Sequence, residues 1–358
     1  MTPLRKRVED NNVFLEDDDG RVVLTAYMEK DTVTLRNGDW MLLKDLKADH
    51  ELILRQCMPP TQSMKFRFFD ITMEIRTNIP DIAKDFGDMY CRFADDFDGQ
   101  ADVTMHAMES WYGAPYPFVL LMKCRPGLRL KGDFSNVSYL SRVVDLLLQV
   151  HNESEVLILL NNPHHAFIHG AAVEKNGIGY VMPAESGKGK TTLTLALLSA
   201  GYGFLSDEFA VLDFETRLLK AFPRSLSVRD GSLGLFPNLH RMKHDLQRIV
   251  SPTETLYSID PLSMMSWSMG RTCPVRFVIF PEYCPGSGPS LARISKADVI
   301  KRLISTRSFI SLGLLDKERS MDLIMSIVAE SECYRLSTAD IEGTIRLVDQ
   351  LHSSCRDT

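Results

Sequence analysis

The stretch Ala166–Gly201, AFIHGAAVEKNGIGYVMPAESGKGKTTLTLALLSAG, constrains the fold more than any other part of the chain. Two apolar runs flank Asn176-Gly177, a pair that favours the positive φ angles of a two-residue type I′ turn, so the spacing predicts a β-hairpin. The second run, GIGYVM, enters a glycine-bearing loop, and TTLTLALLSA leaves it with the composition of a buried helix that Gly201 can stop in the left-handed conformation. No crossover helix fits between Phe167 and Val181, so the strand entering the loop must have an antiparallel neighbour. That argues against the doubly wound sheets of generic GTPases and transporter ATPases. The expected fold class is α/β, of the α+β kind, with a mixed sheet.

Ala184-Glu185-Ser186-Gly187-Lys188-Gly189-Lys190-Thr191 fits the Walker A pattern, with Ala184 where glycine is commoner. Between a strand and a helix, such a loop points backbone N–H groups and the positive end of a helix at phosphate. Residues Ala184 through Thr192 are thus the expected nucleotide-binding segment. Lys190 would add a positive charge at the β- and γ-phosphates, and the Thr191 hydroxyl would be offered to Mg²⁺.

Beyond the helix, FLSDEFAVLD carries Asp207 and Glu208 at the end of a short apolar run. Adjacent acids there can divide the work of phosphoryl transfer, one holding the metal and the other accepting a hydroxyl proton. Thr191 and Asp207 are therefore the expected metal ligands, although a solvated turn would explain the pair equally simply. His169 should sit across from the loop strand and is a catalytic candidate beside the structural role commoner for a lone histidine. His164 and His165 lack a third ligand at useful spacing and are not read as a metal site. Lys220, Arg224 and Arg229 fall together in KAFPRSLSVRD, and Arg224 and Arg229 are candidates for gripping a phosphate or an acidic substrate. The methionines of PLSMMSWSMG are assigned no role.

A chain of 358 residues, 44% hydrophobic and 25% charged, can bury a sizeable core. Its net charge of −6 argues against nucleic acid as a partner, which requires a basic field. The seven cysteines are scattered and never spaced as CxxC, which suggests neither a disulfide framework nor a zinc ribbon and fits a reducing cytoplasm. No stretch reaches the roughly 18 apolar residues of a membrane span. Residues 1–60 read as a small β-rich segment and 61–150 as an α+β accessory region. Within the latter, MKFRFFDITMEI is strand-like, DIAKDFGDMYCRFADDF helix-like, and Ser135 a cap for a helix over VSYLSRVVDLLLQVHNE. Residues 151–358 would form the catalytic domain.

Taken together, His169-Gly170, AESGKGKT and LSDE, at their spacing here, resemble the catalytic domain of bacterial HPr kinase/phosphorylase, whose loop and hairpin resemble those of phosphoenolpyruvate carboxykinase. PRSLSVR, FVIFPEYCPGSG and CYRL resemble the divergent HPr-kinase-related branch that includes lasso-peptide precursor kinases, over roughly residues 65–350. The resemblance implies that His169, Lys190 and Glu208 occupy active-site positions, that Thr191 is the metal-binding hydroxyl, and that Asp207-Glu208 matches an Asp-Asp pair, with Glu208 one methylene longer. The glycine-bearing acidic motif that follows in HPr kinases is not recognisable. The expected function is an ATP- and Mg²⁺-dependent kinase acting on a hydroxyl, with a serine of a peptide or small protein as acceptor and a homo-oligomer as a possible assembly. Two alternatives stay open: a kinase of a small hydroxylated metabolite, and a nucleotide-gated binding protein with vestigial chemistry.

Overall fold

The computed structural model describes the backbone of five strands before residue 43, residue 54, and residues 57–110, 117–129, 137–185, 187–250, 255–265, 267–305, 317–338 and 340–354, of which 249, 250 and 317 in backbone only. The chain divides into two compact units, Met1–Gly87 with Phe93–Asn161, and Asp88–Arg92 with Asn162–Thr358. The helix that ends at Leu160 thus goes with the first unit.

In the first unit, β1 (Arg5–Glu9), β2 (Asn12–Glu16), β3 (Val22–Tyr27), β4 (Thr32–Leu35) and β5 (Trp40–Leu42) form an antiparallel meander. A second sheet follows the order β10-β9-β8-β7-β6, from β6 (Gln62–Phe68), β7 (Ile71–Thr77), β8 (Val103–Glu109), β9 (Phe118–Cys124) and β10 (Val137–Leu140). MKFRFFDITMEI is not one strand but a hairpin, β6 to β7, with Phe69 at φ 55° in the turn. The helix expected from Asp81 to Phe97 stops at Met89, and a short 3₁₀ turn, Cys91–Phe93, follows.

The expected helix start at Ser135 is also corrected. Ser135 lies outside the described residues, VSYL is strand β10, and the helix runs Val143–Leu160 after Arg142, which makes no side-chain cap bond. β-branched and aromatic residues at Val137 and Tyr139 suit a pleated surface, and pairing with β9 decides the matter. Leu146, Val150 and Leu157 of this helix are buried.

The second unit is built on an eight-stranded mixed sheet in the order β15-β14-β11-β12-β19-β21-β20, with β13 also paired to β11. Its strands are β11 (His165–Lys175), β12 (Ile178–Pro183), β13 (Gly203–Ser206), β14 (Phe209–Asp213), β15 (Leu219–Lys220), β19 (Val275–Tyr283), β20 (Ser290–Arg293) and β21 (Glu332–Thr338). β16 (Leu226–Arg229), β17 (Arg248–Val250) and β18 (Thr255–Ile259) form a separate small sheet. β11 and β12 form the hairpin that Asn176-Gly177 predicts: Lys175 pairs with Ile178, and the turn residues have φ 52° and 81°. β12 then runs parallel to β19, and β19 parallel to β21, so the sheet is mixed.

Alternation along these strands sends residues to two cores. Val173, Tyr180, Met182, Phe277 and Leu336 face the helices Lys190–Ser199 and Ile341–Ser354. Ala172, Val181, Val278 and Cys333 face the helices Lys296–Ser305 and Lys317–Glu330. Period-two side-chain direction accounts for this split, and helices on both faces account for strands that are apolar on both sides. Among the described residues no helix is long and apolar enough to cross a membrane.

Candidate active site

The loop between β12 and the helix Lys190–Ser199 is shaped by its glycines. Gly187 and Gly189 have φ 81° and 91°, values that side-chain-bearing residues rarely adopt, and Gly189 immediately precedes the helix. Ser186 lies outside the described residues. The helix ends as expected: the Gly201 and Tyr202 N–H groups donate to Leu198 and Leu197 carbonyls, with Gly201 at φ 81°.

The loop opens into a cleft of about 680 Å³ lined by His169, Lys190, Thr191, Asp207, Glu208 and Arg224, among others. Most of the residues expected from sequence therefore meet in one place. Asp207 and Glu208 form the turn between β13 and β14, where the Ser206 hydroxyl accepts from the N–H groups of Glu208 and Phe209 at 3.3 and 3.1 Å. The Gly170 N–H donates to the Glu208 carbonyl at 3.0 Å, tying the acid turn to β11 beside His169. A Cβ on Gly170 would come within 2.9 Å of backbone atoms of Met182 and Pro183, so only glycine allows this approach of β11 to the loop strand.

Asp207 is buried, and its carboxylate is held by hydroxyls: Thr191 Oγ1 donates to Oδ2 at 2.8 Å and Thr194 Oγ1 to Oδ1 at 3.0 Å. Burial pushes its pKa up, more than the Lys190 charge and the Thr191 and Thr194 hydroxyls pull it down. Glu208 shows the opposite balance. Burial pushes it up, but the His169 hydrogen bond and the charges of Arg224 and Lys190 outweigh this and hold it well below the usual carboxylate range. The distances are 3.1 Å from His169 Nδ1 to Oε1, and 3.5 and 4.0 Å from Arg224 Nη2 and Lys190 Nζ to Oε2. Lys190 Nζ also lies 3.4 Å from His169 Nε2. Neighbouring acids thus sit in contrasting fields, one among hydroxyls and one among cations.

The three basic residues of KAFPRSLSVRD separate. Arg224 pairs with Glu208, Arg229 reaches the loop with Nη1 3.9 Å from where a Gly187 Cβ would be, and Lys220 pairs with Asp213 at 2.8 Å. Thr192 bonds Ser232 Oγ at 2.8 Å, and Glu185 lines the cleft. The sequence reading did not single out Thr194 or Ser206. Thr194 had a signal, since it lies one helical turn after Lys190 and Thr191 on the same face. Ser206 had none beyond its place before the acids.

The donors around Asp207, its own carboxylate and the Thr191 and Thr194 hydroxyls, are hard oxygens, the set that Mg²⁺ prefers. Thr191 and Asp207 thus fit a Mg²⁺ ion. Among the described residues no group of three or more His, Cys, Asp or Glu could hold a metal on its own. The described cysteines, Cys57, Cys91, Cys124, Cys273, Cys284 and Cys333, are free thiols.

The sequence matches no family model and no curated protein. Among solved structures, the chain is similar to the HPr(Ser) kinase/phosphatase from Coxiella burnetii, with 14% identity, coverage of 53% of this chain and 95% of that one, and a TM-score of 0.24.

Proposed function

We propose that the chain is an ATP- and Mg²⁺-dependent kinase that transfers the γ-phosphoryl group to a hydroxyl, with a serine of a peptide or small protein as acceptor. The observation that carries this reading is the convergence, in one cleft, of Lys190, the Thr191–Asp207 pair and the Glu208–His169 pair around a glycine-bearing loop.

The loop amides from Ala184 to Thr192 would bind the phosphates, and Lys190 would balance charge on the γ-phosphoryl group as it leaves the β-phosphate. Thr191 and Asp207 would hold Mg²⁺, which when bound would supply positive charge to offset that of the phosphates. Glu208 would accept a hydrogen bond from the acceptor hydroxyl. As the hydroxyl oxygen forms its bond to the γ-phosphorus and the bond to the β,γ-bridging oxygen breaks, the proton passes to the Glu208 carboxylate and ADP departs. His169, Arg224 and Lys190 hold the Glu208 carboxylate in place, so its work includes orienting the hydroxyl, with proton transfer late in a loose transition state. His169 would fix the direction of Glu208, while Arg224 and Arg229 would complete the positive wall that faces phosphate.

The engagement of the Glu208 carboxylate by His169, Arg224 and Lys190 also favours a second reading, a binding protein gated by nucleotide. One assay separates them: incubation with γ-labelled ATP, Mg²⁺ and a library of serine- and threonine-containing peptides. Label on a peptide hydroxyl supports the kinase. ATP binding without label transfer to any hydroxyl compound supports the gated binder.

A further inference from the structure

The two sides of the loop strand are chemically unlike. β12 has β11 on one side, and β19 followed by β21 on the other. The β11 side carries the charged groups, His169 on β11 itself and Glu208 in the turn between its neighbours β13 and β14. The other side carries Tyr283 and Thr338, the last residues of β19 and β21, paired in register, with Ile341 at the start of the C-terminal helix. All three line the same cleft. The acid between Thr338 and Ile341, Asp340, is engaged as a helix cap, its Oδ1 accepting the Gly343 N–H at 2.5 Å.

Tyr283 is 61% exposed although it lines the cleft. It also borders the loop closely: a Cβ on Gly189 would lie 3.7 Å from Thr338 Oγ1 and 3.8 Å from Tyr283 Cβ. β19 is the direct neighbour of the loop strand, so Tyr283 stands beside the loop on the side away from His169 and Glu208. The acceptor hydroxyl has to approach Glu208, so the nucleoside has to extend the other way. An exposed aromatic residue on that side, beside an aliphatic residue and a hydroxyl, is a surface on which a base can stack.

We infer that Tyr283, Thr338 and Ile341 form the nucleobase subsite, with the Tyr283 ring as its stacking face. The inference rests on the nucleotide-dependent reading of the cleft.

The test compares the binding of ATP and of tripolyphosphate, which has the phosphates but no nucleoside, to the wild-type chain and to Tyr283→Ala, Tyr283→Phe and Leu235→Ala. Leu235 also lines the cleft but belongs to the segment that follows the helix Asp230–Leu233, not to β19 or β21. Tyr283→Ala is expected to weaken ATP roughly 5- to 150-fold, the range of one lost base–aromatic stack, and to leave tripolyphosphate unchanged. Tyr283→Phe and Leu235→Ala are expected to bind ATP as the wild type does. The subsite is overturned if Tyr283→Ala binds ATP within twofold of wild type, if it loses tripolyphosphate in parallel, or if wild type prefers ATP no more than tripolyphosphate. Failure of wild type to bind either ligand would instead remove the nucleotide reading, and this inference with it.

Discussion

Thr191 Oγ1 donates to Asp207 Oδ2 across 2.8 Å, joining the first turn of the loop helix to the turn between β13 and β14. The bond links residues that are far apart in sequence, and it places a hydroxyl and a carboxylate where one hard cation could use both. Asp207→Asn should keep the fold, because the amide can still bond both threonine hydroxyls and because burial already disfavours the charged form. Its melting temperature should equal or exceed that of wild type, while Mg²⁺-dependent transfer falls by about 10² or more. Thermal unfolding alongside a label-transfer assay checks both halves.

Gly170→Ala tests whether the β11 approach to the loop strand is needed. The new methyl would meet Met182 and Pro183 backbone atoms at 2.9 Å, and backbone cannot move aside as a side-chain tip can. A loss of roughly 1–3 kcal/mol is expected. Activity should fall further than stability, since the Gly170 N–H also holds the Glu208 carbonyl. Urea unfolding and the transfer rate measure the two effects.

Asp213 supplies a pH dependence. Burial pushes its carboxyl up, but the Lys220 ammonium at 2.8 Å and the N–H groups of Thr216 and Glu215 hold it well below the usual carboxylate range. A carboxyl whose folded pKa lies below its unfolded value, about 3.9, stabilises the fold above that value, and the contribution fades as pH falls toward the folded pKa. Asp213→Asn should therefore be less stable than wild type at pH 7. The gap should shrink as the pH is lowered below about 4 in a series of urea melts.

The thiols should react in a set order. Burial pushes Cys57 and Cys273 up to about 12 and Cys124 to about 11; Cys91 is exposed, and partial burial and the nearby Asp260 carboxylate raise its thiol too. Because the thiolate is the reactive form and access limits attack, a disulfide-exchange reagent at pH 8 should modify exposed Cys91 before Cys57 and Cys273. Cys57 and Cys273 should become reactive only on unfolding, as peptide mapping of time points can establish.

How far the sequence spoke for the fold varies with range. Asn176-Gly177 encodes its hairpin locally, and Gly187, Gly189 and Gly201 mark the positive φ angles that bound the loop and its helix. The grouping of Asp207 and Glu208 with Lys190 followed from chain order, since a strand after the helix returns to the same sheet. VSYL misled, because its apolar spacing suits a helix, and only pairing with β9 makes it a strand. The division between Arg224, which faces Glu208, and Lys220, which faces Asp213, depends on a strand direction that no local pattern records. Tyr283 and Thr338 come from segments far apart in the chain and meet the loop only through sheet order.

The role of Glu208 can be read from Glu208→Ala, with phosphoryl transfer from γ-labelled ATP and ATP affinity measured on the same protein. Transfer to a peptide hydroxyl should fall by about 10²–10⁴ while ATP affinity stays within a few-fold of wild type. Unchanged transfer in Glu208→Ala, or a wild-type chain that binds no ATP, would contradict the account.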